Sequence, residues 1–459
     1  MEYISTRNTK KTFSFKDVLL KGLAPDGGLF VPNTIPSYKP QELKKLKNLP
    51  YEELATKIIF KFCSDEFNEK EIKELVKNSY KNFRSKEVVT IKKIGNMNLL
   101  ELFHGPTLAF KDIAMQVIGN MYEQILEKNN LKVNVVVATS GDTGAAAISA
   151  IRDRKNMNIF VLHPENKISE IQRKFMTVID SNNVFNIALT GNFDECQKFV
   201  KLMFADKKFS NTINMTAVNS INWSRIVMQI IYYFFSYFKI ATKNEKINYS
   251  VPTGNFGDVY AGYVAKKMGL PVGKLIVATN SNDILKRVIN TGIYKPLKVE
   301  QTISPSMDIQ VASNFERLVF NICSCNSDKI IKLINNLNEL GQFSLEKNEL
   351  EEIKRDFSSE SLSEEEIKSV IKHVYQKQKI LVDPHTAVAI GALDKIPLEG
   401  KSVVLATAHP SKFSNTVMSV TGVKPDLPES LKNMLIGKEK YEIFNADLKK
   451  IQNYISKNV

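Results

Sequence analysis

The sequence predicts an α/β protein with two lobes, each built on a mostly parallel sheet. Three observations carry that expectation. From about residue 90 onward, apolar runs recur at 133–138, 158–162, 247–251, 275–278 and 402–406 without regular polar alternation, the pattern of strands buried on both faces. Several of these runs lead into turns of glycine, serine, threonine and asparagine and then into helices, which is βα alternation. They gather at 133–205 and 247–290, so a cleft between two lobes is expected.

In chain order, residues 1–88 read as an N-terminal capping region. Residues 15–23 fit a short helix, and the Ala24-Pro-Asp-Gly-Gly-Leu29 string is turn chemistry. Residues 42–81 place Leu54, Ile58, Ile59 and Phe62 at helical spacing. The boundary before the main body falls at 82–87. The first lobe is assigned to 89–225 and the second to 226–459, with a charged helical insertion at about 326–380. The most apolar stretch, 226–238, contains Gln229 and Ser236. It is shorter than the roughly 20 residues that span a bilayer, so a buried helix is expected and no membrane partner.

Composition narrows the function. With 459 residues, 43% hydrophobic and 24% charged, the chain has the balance of a globular protein. The net charge of +14 comes from lysines spread along the whole chain. No recognition motif accompanies it, so nucleic acid is not an expected partner, whereas a positive field attracts a small phosphorylated ligand. Cys323-Ser-Cys325 lacks the second pair of a zinc site, and the five histidines show no metal-ligand spacing. Reduced structural thiols and no metal are expected. The first residues show no apolar core behind their basic residues, so a cytoplasmic protein is expected. The expected assembly is a monomer or homodimer. No Gly-x-Ser-x-Gly elbow or Walker lysine is present, which sets aside two large enzyme classes.

Open α/β sheets bind ligands beyond the carboxyl ends of their strands. Two loops occupy such positions, TSGDTG at 139–144 and PTGNFGD at 252–258. Small residues let backbone amides approach an anion, and the following helix N-terminus adds partial positive charge. Either loop reads equally as an ordinary tight turn. Together they suggest two phosphates, one on a cofactor and one on a substrate. A similar string, TGNFD at 190–194, lacks the second glycine and reads as a plain turn with Asp194 as a helix-capping acid. Lys111 opens a helix whose Ile113, Val117, Ile118, Met121 and Ile125 share a core face. A lysine there opposes the helix dipole, and burial beside Phe110 also favours the neutral amine. A surface lysine with a solvated head is the competing reading.

Five motifs in order resemble those of the threonine synthases: HGPTLAFKD at 104–112, TSGDTGAA at 139–146, NSINWSR at 219–225, PTGNFGD at 252–258 and ATAHPSKF at 406–413. YISTR at 3–7 and GLAPDGGL at 22–29 extend the likeness over nearly the whole chain. The resemblance implies the tryptophan-synthase-β-like fold, fold type II of the pyridoxal-phosphate enzymes, with Lys111 carrying the cofactor covalently. It implies that Gly254, Asn255, Phe256, Gly257 and Asp258 form the cofactor-phosphate loop and that Thr407 meets the pyridine nitrogen. Thr139, Ser140 and Thr143 would lie at the substrate end, with Asn219 and Arg225 on the substrate phosphate. The implied reaction converts O-phospho-L-homoserine and water to L-threonine and phosphate, with Lys111 as general base. A phospho-lyase giving 2-oxobutyrate is the alternative on the same fold; a non-catalytic cofactor- or nucleic-acid-binding protein is the alternative of another class. Asp142 stands where many relatives in the broader fold carry an asparagine that contacts the cofactor's phenolic oxygen. Its role stays open, because two like charges in contact repel.

Overall fold

A computed structural model of the chain describes residues 1–243 and 245–459. Its larger sheet runs, from edge to edge, through Phe357–Ser361, Val272–Thr279, Ile247–Pro252, Ser402–Ala406, Met97–Glu101 and Thr90–Ile94. Every pair is parallel except the hairpin at the Thr90–Ile94 edge. The smaller sheet is wholly parallel, in the order Glu442–Asn445, Val184–Thr190, Met157–Pro164, Val133–Ala138 and Met215–Thr216. Met157–Pro164 is buried at every residue, which explains its nearly unbroken apolar sequence.

The helix Trp223–Ile240 is buried from Trp223 to Tyr237 and capped by the Asn222 side chain. It packs on the helices Lys111–Asn129, Tyr51–Cys63 and Gly257–Lys267, joining both lobes to the N-terminal region. That region holds a three-stranded antiparallel sheet (Tyr3–Ser5, Asn8–Phe13 and Phe30–Pro32) and the helices Phe15–Lys21, Pro40–Leu46, Tyr51–Cys63 and Glu69–Tyr80. Leu54, Ile58, Ile59 and Phe62 are all buried. No helix of the described residues is long and apolar enough to cross a membrane.

Three expectations need correction. The linear division at residues 88 and 225 does not follow the sheets. Met97–Glu101 pairs with Ser402–Ala406 in the larger sheet, and Glu442–Asn445 returns to pair with Val184–Thr190 in the smaller. Sheet hydrogen bonding, not chain order, decides lobe membership. The 326–380 segment is not only helical, because Phe357–Ser361 forms an edge strand of the larger sheet. At 190–194 the helix cap is Asn192, whose side chain accepts from the Glu195 amide, while Asp194 lies in the first turn. An uncharged side-chain acceptor suffices there, because an N-cap works through a hydrogen bond.

Candidate active site

The segment before Lys111 is fixed mainly by backbone bonds. Phe110 N–H donates to the Thr407 carbonyl at 2.8 Å and His409 N–H to the Leu108 carbonyl at 3.0 Å. Leu108 has a φ of +62°, the left-handed region, a strained conformation for a branched residue. Asp112 holds the bend from inside, accepting from Thr107 N at 2.7 Å and Thr107 Oγ1 at 2.6 Å. Lys111 is therefore delivered as the first residue of its helix. Its Nζ lies 5.6 Å from the centroid of the Phe110 ring. Burial lowers its pKa; Asp142 opposes, and Lys412 and Arg225 reinforce the lowering.

Asp142, whose role the sequence leaves open, is held among cations. Its Oδ1 accepts from Lys412 Nζ at 2.7 Å and Gln172 Nε2 at 3.0 Å, and its Oδ2 lies 3.5 Å from Lys111 Nζ. Burial alone would raise this carboxyl, but the two lysines and the hydrogen bonds outweigh it and hold it well below the usual range. Thr139 is absorbed by its own loop, where Oγ1 accepts from the amides of Gly141 and Gly144, each at 2.9 Å. Gly141 has a φ of +128°, a backbone region that favours glycine. Ser140 and Thr143 remain partly exposed in the same loop.

A segment that sequence reading passed over, 304–317, draws the loops together. Ser306 Oγ donates to Asp142 Oδ2 at 3.3 Å, while Ser306 N donates to His385 Nε2 at 3.2 Å. The Ser306 carbonyl faces Gly254 so closely that a Cβ there would stand 2.7 Å from it. Asn314 bonds the Asn255 carbonyl through its backbone N–H at 3.1 Å and through Nδ2 at 3.0 Å. The same Nδ2 donates to the Ser220 carbonyl at 3.2 Å. Arg317, fully buried, donates to the carbonyls of Phe30 at 3.0 Å and Ile221 at 2.6 Å and to Asn314 Oδ1. Nothing in its sequence surroundings marks it.

The expected loop residues divide into two groups. Gly254, Asn255, Phe256 and Gly257 form the turn into the helix Gly257–Lys267, with Phe256 at φ +65° as its N-cap and its ring edge-on to Phe315 at 5.3 Å. The Asp258 side chain turns away. Its Oδ1 accepts from Tyr232 Oη at 2.6 Å and Tyr233 Oη at 2.9 Å, and its Oδ2 is buried without a partner. Burial pushes its carboxyl up to about 6, although the tyrosine bonds and Arg225 pull it down. Arg225 is buried in the first turn of the helix Trp223–Ile240, and its Nε has no partner. Burial lowers its pKa to about 10, against Tyr232 and Asp258. Asn219 accepts from Ile221 N at 3.3 Å, shaping the loop beside it. Thr407 is buried at the end of the strand Ser402–Ala406. No cluster of three potential metal ligands occurs among the described residues.

The arrangement gives one poorly solvated amine, a glycine turn at a helix N-terminus and a buried guanidinium with an open donor. It suits a ligand pair with anionic ends and a carbonyl group. Comparison with known proteins agrees along the chain. Three family models match: "Threonine synthase N terminus" over residues 2–80, "Pyridoxal-phosphate dependent enzyme" over 98–339 and "Threonine synthase, C-terminal" over 386–455. The threonine synthase of Pseudomonas aeruginosa is 42% identical, covering 100% of this chain and 98% of its own; that of Saccharomyces cerevisiae is 40% identical over the same shares. The crystal structure of pyridoxal-phosphate-bound threonine synthase from Brucella melitensis superposes with a TM-score of 0.97 at 40% identity, over 100% of this chain and 99% of that one. The yeast threonine synthase structure gives 0.94 at 38% identity, over 100% and 98%.

Proposed function

The chain belongs to the threonine synthase family of pyridoxal-phosphate-dependent enzymes, and from that premise we propose that it converts O-phospho-L-homoserine and water to L-threonine and phosphate with Lys111 as the cofactor lysine. The single observation that carries the assignment of roles is the Lys111 amine, buried and lowered in pKa at the mouth of its helix. A neutral amine is the form that bonds to an aldehyde. The residues suit the cofactor in two further respects. Ser306 stands where a Cβ on residue 254 would point, so the turn accepts only glycine without a shift, and its amides serve a phosphate. Thr407 offers a neutral buried hydroxyl for the ring nitrogen.

When bound, pyridoxal phosphate supplies an electron sink for carbanions adjacent to the substrate nitrogen. The rest falls to the protein. Lys111, with its amine free, would be the base that takes the Cα proton of the substrate. Asp142 steadies its Nζ from 3.5 Å. Arg225, with an unpartnered Nε, binds the phosphate of the substrate, and its planar fork favours two bonds at once. Asn219, Ser140 and Thr143 form the nearby substrate end, while Thr139 keeps that loop in shape. Holding the two substrate ends in place confines the reacting carbons to one position.

Incubation of the purified protein with pyridoxal phosphate and O-phospho-L-homoserine tests the reading, with threonine, phosphate and 2-oxobutyrate measured together. Equal amounts of threonine and phosphate are expected. Phosphate with 2-oxobutyrate and no threonine would overturn it.

A further inference from the structure

We propose that Lys412 is a positioning residue for the reaction, whose ammonium engages Asp142 so that Asp142 does not lock a proton onto Lys111. The proposal rests on the reading of Lys111 as the cofactor lysine. Its ground is geometric. The Lys412 side chain is 0% exposed, with Nζ 2.7 Å from Asp142 Oδ1 and donating to the Thr107 carbonyl at 2.8 Å. A lysine buried this deeply carries a desolvation penalty of several kcal/mol. Packing could be served by an apolar chain, so the charge itself has a task.

Asp142 shows what the task is. Its second oxygen faces Lys111 Nζ at 3.5 Å and also accepts from Ser306. A lone carboxylate at that distance favours the ammonium by about 1–3 pH units. That would undo the effect of burial and of the helix terminus on Lys111. With Lys412 on its first oxygen, the same carboxylate is shared between two cations. Lys412 also acts directly on Lys111 as a like charge.

The other charged groups around this cluster leave the sign unchanged. Arg225, on the helix Trp223–Ile240, lowers Lys111 in the same direction. Asp112 and Arg84 lie on the Thr107 side, where Asp112 is bonded to Thr107. His385 approaches through Ser306, with its Nδ1 bonded to Asp383. The Thr107 contact adds a mechanical element, since one ammonium ties both Asp142 and the segment leading to Lys111. In the sequence, Lys412 belongs to the ATAHPSKF motif, and it lies in the short turn Pro410–Phe413 that follows the strand Ser402–Ala406.

The test uses holoenzyme carrying K412M, K412R or D142N. The first readout is the pH midpoint of the absorbance change of the lysine-bound cofactor. The second is the pH dependence of Lys111 acylation in the cofactor-free full chain, followed by mass spectrometry. K412M is expected to raise both midpoints by about 1 pH unit, D142N to lower them, and K412R to stay near the unaltered protein. A K412M midpoint that is unmoved or lowered overturns the proposal. If K412M does not fold, the D142N/K412M pair replaces it; a midpoint at or below that of the unaltered protein is expected, and a raised one overturns the role. Borohydride trapping separates the two readings. Label on a residue other than Lys111 refutes the site assignment, whereas label on Lys111 with an unmoved K412M midpoint refutes only the role of Lys412.

Discussion

Asp258→Asn should make the protein more stable at neutral pH than at acid pH, relative to the unaltered chain. The Asp258 carboxyl moves from 3.8 to about 6 on folding, chiefly through burial. Because the folded value is the higher one, its contribution is fully present below the unfolded pKa and is lost as pH rises through about 6. At about 1.4 kcal/mol per unit, the full loss is about 3 kcal/mol, of which about 1.4 kcal/mol falls between roughly pH 5 and pH 7.5. Asparagine keeps the acceptor that Tyr232 and Tyr233 use, and its amide nitrogen takes the position of an oxygen that already has no partner. Shape is preserved and ionisation removed. Urea unfolding of both proteins at about those two pH values measures the effect, and the advantage of D258N should grow by about 1.4 kcal/mol toward the higher pH. Parallel pH dependences in the two proteins would refute the argument, since they would mean that Asp258 ionises in the folded protein as easily as in the unfolded one.

Arg225→Ala should raise KM for O-phospho-L-homoserine about a hundredfold while leaving cofactor absorbance in place; loss of both would mark Arg225 as a folding residue. Gly254→Ala brings a Cβ to 2.7 Å from the Ser306 carbonyl, and the displaced turn should weaken cofactor affinity by about tenfold or more. Equilibrium dialysis reads this directly, and unchanged affinity would show that the turn does not hold the phosphate. Arg317→Met strands the carbonyls of Phe30 and Ile221 and Oδ1 of Asn314. It should cost about 3–5 kcal/mol of stability and raise substrate KM; a loss below about 1 kcal/mol by urea unfolding would refute the role given to these bonds.

The parts of the fold that were legible in the sequence are those where one element satisfies its own physics. The runs at 133–138, 247–251 and 402–406 are strands because both faces are covered, and the small-residue turns after them mark the site. The strand Phe357–Ser361 escaped notice because a sheet edge needs little apolar sequence, and four of its five residues are polar. Lobe membership of Met97–Glu101 and Glu442–Asn445 was hidden for another reason, since pairing across hundreds of residues leaves no local trace. In the site, the helix start made Lys111 a candidate beside the reading of a surface lysine, and the resemblance of the 104–112 motif singled it out. Ser306, Asn314 and Arg317 could not be singled out this way, because their work is to bond groups of distant segments, the His385 and Asp142 side chains for Ser306 and backbone carbonyls for the other two. The role of Asp142 stayed open while it was considered alone. Its meaning depends on Lys412, which lies 270 positions further along the chain.

Charge balance explains why these residues belong together. Lys412 and Lys111 face Asp142, while Arg225 acts on Lys111 and on Asp258. When Lys111 is protonated, these three cations outnumber the two carboxylates by one, and Arg225 keeps an unpartnered buried Nε. Buried charge without a partner is costly, and an anion that enters removes the cost. Binding free energy of anionic ligands is thereby coupled to the stability of the folded protein. Burial, reinforced by Lys412 and Arg225 and opposed by Asp142, lowers the Lys111 pKa. On the proposed roles, one distribution of charge would attract anionic ligands and favour the neutral amine, so a substitution that removes one of these cations should stabilise the protein without ligand and weaken it as an enzyme.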